Sequence, residues 1–216
     1  MMIAFEGPDG SGKTTQLRLV ADRLLSMGAS YATVPGCSSS PIGRYIRECL
    51  SGRVHTSPQE MQALYTADRM ARDEELRSES AIGSVLLADR WTLSAYVYGS
   101  LDCDTLATKN ERLQWLAKIN ESVIRPSVYV VVNVEPEIAI ERVAKRVGKQ
   151  PIEIYENAET LRRICASYRD RSIVPAALRW FGARPHVLMF ESTREHTPES
   201  MHEEVWRQLA PILAIG

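Results

Sequence analysis

Short, continuously apolar runs alternate along this chain with longer segments whose apolar residues recur every three or four positions. That alternation predicts strands alternating with helices, the pattern of a parallel sheet covered by helices on both faces. The strand candidates are Met2–Phe5, Tyr31–Val34, Val85–Asp89, Val128–Val134 and His186–Phe190. Val85-Leu86-Leu87-Ala88 lacks alternating polar positions, as a strand buried on both faces should. Leu17, Val20, Ala21, Leu24 and Leu25 keep the i, i+3, i+4, i+7, i+8 spacing of one buried helix stripe, and Gly28 ends that helix. Ser57-Pro58-Gln59-Glu60 combines a capping Ser, a first-turn Pro and a Glu three residues on, which starts a long helix running to about Glu79. Further helices are expected from about Pro41, from Pro136, over roughly Ala158 to Phe181, and from Thr197-Pro198. No internal repeat interrupts this order, so residues 1–216 read as one domain.

The first strand runs into Gly7-Pro8-Asp9-Gly10-Ser11-Gly12-Lys13-Thr14, a complete GxxxxGK[ST] phosphate loop continued by Thr15 at the start of the first helix. Glycines let the backbone curl so that successive N–H groups face a phosphate, and the helix behind adds its positive end. Lys13 would reach the β- and γ-phosphates of a bound nucleoside triphosphate, and the Thr14 hydroxyl would sit on Mg²⁺. Asp89-Arg90-Trp91 closes the third strand, on the sheet edge where such folds bind ligands. Asp89 is placed to complete the Mg²⁺ site with Thr14, and Arg90 to clamp a phosphate bidentately.

The phosphate loop contains no Arg, so a catalytic cation must come from elsewhere. Arg142, Lys145, Arg146 and Lys149 put four cations into eight residues. They form either a solvated basic face or a short lid, about residues 142–156, with Gly148 as a flexible point. A correctly placed cation on the transferring phosphoryl group is worth roughly 10³–10⁵ in rate. Arg142 and Arg146 are both candidates, and spacing does not choose between them.

Composition narrows the partners. A net charge of −1 argues against non-specific nucleic-acid binding. Cys37, Cys49, Cys103 and Cys165 form no CxxC pair, which favours reduced thiols in a cytoplasmic setting. Neither a signal segment nor an apolar run long enough to span a membrane is visible.

The motifs together resemble one family. Phe5-Glu6-Gly7-Pro8-Asp9-Gly10-Ser11-Gly12-Lys13-Thr14-Thr15-Gln16 is similar to the phosphate loop of thymidylate kinases. Tyr65-Thr66-Ala67-Asp68-Arg69 resembles the family's aromatic-xx-Asp-Arg segment, and Asp89-Arg90-Trp91-Thr92-Leu93-Ser94 with Tyr98 its DR(Y/W/H)xxS…Y motif. Arg142 to Arg146 resemble its lid, and Tyr155-Glu156 the segment just after that lid. The resemblance implies a three-layer αβα P-loop fold with a five-stranded parallel sheet and a short lid. It implies transfer of the ATP γ-phosphoryl to dTMP or a related deoxypyrimidine monophosphate, with Mg²⁺, small-molecule nucleotide substrates and a homodimer. Asp9 would accept from the sugar 3′-hydroxyl, Tyr65 would stack on the pyrimidine and Arg69 would donate to a base carbonyl. Ser94 belongs to the same substrate-binding motif, and Tyr98 would crowd the ribose 2′ position. Lys13, Arg90 and a lid Arg would surround the phosphoryl group in flight.

Two departures stand out. The family carries an acceptor-phosphate Arg near the end of the second strand, whereas here Thr33 to Gly43 contain no basic residue before Arg44. Loss of one charge-assisted contact costs roughly 1.5–3 kcal/mol unless replaced. Either Arg90 with the backbone and hydroxyls of Ser38–Ser40 holds the phosphate, or the acceptor differs from dTMP. Asn133 also stands where the family often has Asp. A kinase of a deoxynucleoside or modified acceptor, and a nucleotide-binding regulatory protein without catalysis, are the alternatives.

Overall fold

Five parallel strands lie in the order β2-β3-β1-β4-β5. They are β1 (Met2–Glu6), β2 (Tyr31–Val34), β3 (Val85–Asp89), β4 (Val128–Val134) and β5 (His186–Ser192) in a computed structural model that describes residues 1–147, 153–170 and 185–214. All residues of β1 and β4 are buried, as their apolar runs require. Phe5 pairs with Asp89, so the carboxyl ends of β1 and β3 finish side by side. The chain leaves β1 for the edge strand β2 on one side and later reaches β4 on the other. A crevice opens at that reversal, and the loops after β1 and β3 form its walls.

Helices cover both faces. On one, α1 (Lys13–Ser26) and the last helix, α9 (Pro198–Leu213), pack Leu17, Val20, Leu24, Val205 and Leu209 against Ile3, Phe5, Leu87 and Val130. On the other, α5 (Thr92–Gly99), α6 (Leu106–Ile119) and α8 (Ala158–Arg169) bring Val97, Leu116 and Tyr168 onto Ala4, Leu86 and Val131. Between β2 and β3 come α2 (Pro41–Leu50), α3 (Pro58–Met70) and α4 (Asp73–Ala81), and α7 (Pro136–Val147) follows β4.

The single helix expected from Ser57 to about Glu79 is two, broken at Ala71-Arg72. The reason is tertiary. Arg72 donates to Pro35 O (3.0 Å) and Asp68 Oδ2 (3.1 Å) in one direction, while Asp73 accepts from Ile124 N (2.5 Å) in another. Three acids, Asp73, Glu74 and Glu75, then open α4, where its positive end favours them. The expectation of helix out to Phe181 holds to Arg169; its remainder from residue 171, like Gly148 and Lys149, lies outside the described residues. β5 runs two residues past Phe190.

Gly7 sits at the end of β1 with φ 140°, and a Cβ there would lie 2.1 Å from Val132 O. Gly7→Ala is therefore expected to destabilise the fold by at least about 1–3 kcal/mol from backbone conformation alone, read as a lowered urea midpoint.

Candidate active site

Three glycines shape the phosphate loop: Gly7, Gly10 and Gly12 all have positive φ. Gly12 is the left-handed cap of α1 and supplies no side chain to its first-turn N–H groups, so that positive end faces the loop's hollow. Thr14 Oγ1 donates to Asp89 Oδ2 at 2.6 Å. The two expected Mg²⁺ ligands, one from α1 and one from β3, thus stand together. A hydroxyl and a carboxylate beside a phosphate cradle are the hard oxygen donors Mg²⁺ takes.

One carboxylate organises the cations. Asp9 Oδ1 accepts from Arg90 Nη2 (2.7 Å) and Lys13 Nζ (3.2 Å), and Oδ2 accepts from the Tyr98 hydroxyl (3.4 Å). Burial pushes the Asp9 carboxyl up, but Arg90 and Lys13 outweigh it and hold the group far below the usual carboxylate range. Arg90 Nη1 also donates to Gly7 O (2.7 Å), Ser94 Oγ and the Tyr168 hydroxyl (both 3.3 Å), and its guanidinium lies 5.0 Å over the Tyr98 ring. Burial opposes charge on Arg90; Asp9 more than offsets this and keeps its pKa above the ordinary guanidinium value. The Arg90 backbone is left-handed (φ 65°), a conformation costing about 1–3 kcal/mol in a non-glycine residue, and its N–H is tied to Phe5 O at 2.9 Å.

Glu6 is the functional residue that motif reading left without a role. It is fully buried, and its carboxylate accepts from Trp91 N (2.8 Å), Ser94 N (3.3 Å), Ser94 Oγ (2.5 Å) and the Tyr168 hydroxyl (3.1 Å). It thereby ties the start of α5 and the end of α8 to β1. The available signal was a lone charge ending a wholly apolar strand directly before the loop.

The crevice holds a cavity of about 350 Å³. Its lining takes Lys13, Thr14, Asp89 and Arg90 from around the phosphate loop, Tyr65 and Arg69 from α3, and Ser94 and Tyr98 from α5. Arg69 is buried; its Nε and Nη2 donate to Asn120 Oδ1 (3.2 and 2.9 Å), and Nη2 also to Thr66 Oγ1 (3.1 Å). Desolvation pushes the Arg69 pKa down to about 10. Burial likewise raises the Tyr65 hydroxyl, keeping it neutral.

The lid arginines part company. Arg146 lines the crevice cavity, where Glu156 holds its guanidinium. Arg142 instead donates to Gly10 O (3.1 Å), Ser192 Oγ (2.8 Å) and Thr193 O (2.9 Å), bolting the outer side of the phosphate loop to the end of β5. It borders a second cavity of about 280 Å³, with Gly12, Thr15, Gln16 and His196.

Of the hydroxyls weighed for the acceptor phosphate, those of Ser38 and Ser40 are engaged within the protein. Ser38 Oγ donates to Asp68, Ser38 N donates to Asp68 Oδ2 (2.9 Å) and Ser40 Oγ to Asp68 Oδ1 (3.1 Å). A buried carboxylate from α3 has taken these donors, and Pro35, Gly36 and Cys37 face the cavity instead. Asn133 is buried, and its Oδ1 has no hydrogen-bond partner among the described residues.

Comparison with known proteins agrees with this geometry. Residues 5–172 match the thymidylate kinase family profile. A probable thymidylate kinase of Methanococcus aeolicus is 30% identical over 207 residues, covering 96% of this chain and 94% of that protein. One from Methanocaldococcus jannaschii is 31% identical over 205 residues, covering 95% and 93%. The solved thymidylate kinase of Candida albicans superposes with a TM-score of 0.76 over 100% of this chain and 93% of its own, at 19% identity, and so shares the fold. The chain belongs to the thymidylate kinase family of phosphotransferases.

Proposed function

We propose that this protein transfers the γ-phosphoryl group of ATP to the 5′-phosphate of dTMP or a close deoxypyrimidine relative, giving ADP and the diphosphate. One observation carries the reading: Lys13 and Arg90 share the Asp9 carboxylate where the crevice cavity meets the phosphate loop. The shared carboxylate holds both cations at the junction of the two nucleotides, while Asp89 stays beside Thr14. Lys13 follows the donor phosphates, Arg90 neutralises the acceptor phosphate, and Asp9, ionised at every working pH, accepts from the sugar hydroxyl. The attacking phosphate oxygen is already an anion, so the protein positions and neutralises rather than removing a proton. Thr14 and Asp89 would hold Mg²⁺, which supplies charge neutralisation between the donor phosphates. Arg146, on the acceptor side, is the lid cation that leaves Glu156 to join the transferring group, while Arg142 fixes the donor side of the loop. The family's homodimer is the assembly expected, and sedimentation velocity tests it.

A coupled ADP assay with Mg²⁺, ATP and dTMP, dUMP, other monophosphates and thymidine checks the reaction. Turnover of monophosphates is expected; turnover of unphosphorylated acceptors alone, or of none, would overturn it. Lys13→Ala is expected to lower kcat by at least about 10²–10³. Folding depresses the Asp9 carboxyl, so its stabilising contribution is complete above the ordinary value of 3.8 and falls away as pH drops from there toward the folded value. The stability gap between wild type and Asp9→Asn, measured by urea denaturation, is therefore expected to be wider at pH 7 than at pH 3.

A further inference from the structure

We propose that Gln62 reads the edge of the acceptor's base and, with Arg69, selects a pyrimidine carrying a keto group at C4 and a proton on N3. The inference rests on the phosphotransfer reading above and names a specificity residue within it. Gln62, Tyr65, Thr66 and Arg69 recur at i, i+3, i+4 and i+7 along α3, and so share one face of that helix. Gln62 is 3% exposed and lines the crevice cavity. Its side-chain amide makes no hydrogen bond to any described residue, although the polar groups beside it are committed: Thr66 Oγ1 donates to the Gln62 backbone carbonyl (2.8 Å), and Asn120 and Thr66 hold Arg69. The amide borders the cavity uncommitted to the protein, so a ligand seated there can pair with it.

The helix opposite makes room for this side chain. A Cβ on Gly99, the last residue of α5, would lie 2.8 Å from Gln62 Cγ and 3.0 Å from Leu116 Cδ1. Gly99 is not among the glycines with positive φ. The glycine there serves space rather than backbone conformation, and Gln62 and Leu116 share that space.

Chemistry then assigns the base. Arg69 is donor-only, and its neutral partners orient its Nε and Nη2 without supplying a counter-charge. Such a group favours a carbonyl and opposes an amino group at the same position. Gln62 presents both an acceptor and a donor, so its carbonyl takes an N3 proton while its NH₂ serves a neighbouring keto oxygen. A site whose polar groups go unpaired with the wrong base discriminates more sharply than an apolar one.

The test measures initial rates on the full-length protein with dTMP, dUMP, dCMP and N3-methyl-dTMP, for wild type and Gln62→Met, which keeps the side chain's length. Loss of the hydrogen bond is expected to raise KM for dTMP and dUMP alike by about 10-fold, with kcat and the KM for ATP unchanged within about twofold. The preference for dTMP over dCMP falls, and the wild-type penalty for N3-methylation largely disappears in the variant. An undiminished N3-methyl penalty in Gln62→Met overturns the inference. If thermal melting shows that Gln62→Met does not fold, Gly99→Ala, which displaces Gln62, decides by the same penalty. Wild-type turnover of dTMP with an unchanged penalty removes only the role of Gln62; wild-type enzyme inert on dTMP removes the phosphotransfer reading and this inference together.

Discussion

The arrangement depends on a carboxylate with no access to water. Glu6 ends β1 inside the protein, and an isolated charge there would be prohibitive without compensation. Compensation comes from two backbone N–H groups at the start of α5, the Ser94 hydroxyl and the Tyr168 hydroxyl. Satisfying one group therefore fixes three elements relative to one another. Because Ser94 and Tyr168 also contact Arg90, the same group sets the position of the residue that joins the phosphate loop to the crevice cavity. A half-satisfied version of this network would be worse than an apolar one, so it acts as a unit.

That network separates what the chain discloses locally from what only folding discloses. The phosphate loop, the parallel strands and the pairing of Thr14 with Asp89 were legible, because a glycine pattern and apolar runs carry their own physics over a few residues. α5 was not. All eight of its residues are buried, so no amphipathic period marks it as a helix. α6 was missed for the opposite reason, since Leu113 and Leu116 are its only buried residues and give a thin stripe. The break between α3 and α4 depends on Arg72 and Asp73 finding partners in loops far along the chain. Asp68 claims Ser38 and Ser40 across thirty residues, which no local pattern could show.

Arg142 and Arg146 lie one helical turn apart and look equivalent in a basic run. The structure sends one to backbone carbonyls behind the phosphate loop and the other to a carboxylate in the lining of the crevice cavity. Their division follows from where α7 stands: it passes the loop at Gly10, where a Cβ would meet Ala139 O at 2.7 Å. Packing that close leaves successive turns of the helix facing different sides of the same loop.

The left-handed backbone at Arg90 has a consequence for how this protein can change. Glycine would relax that conformation most readily, yet it would delete the guanidinium that bridges Gly7, Asp9 and Ser94. Comfort and competence compete at a single position. Variants selected only for heat resistance would drift toward disarming the enzyme there, so a more robust version must find its gains elsewhere in the sheet and helices.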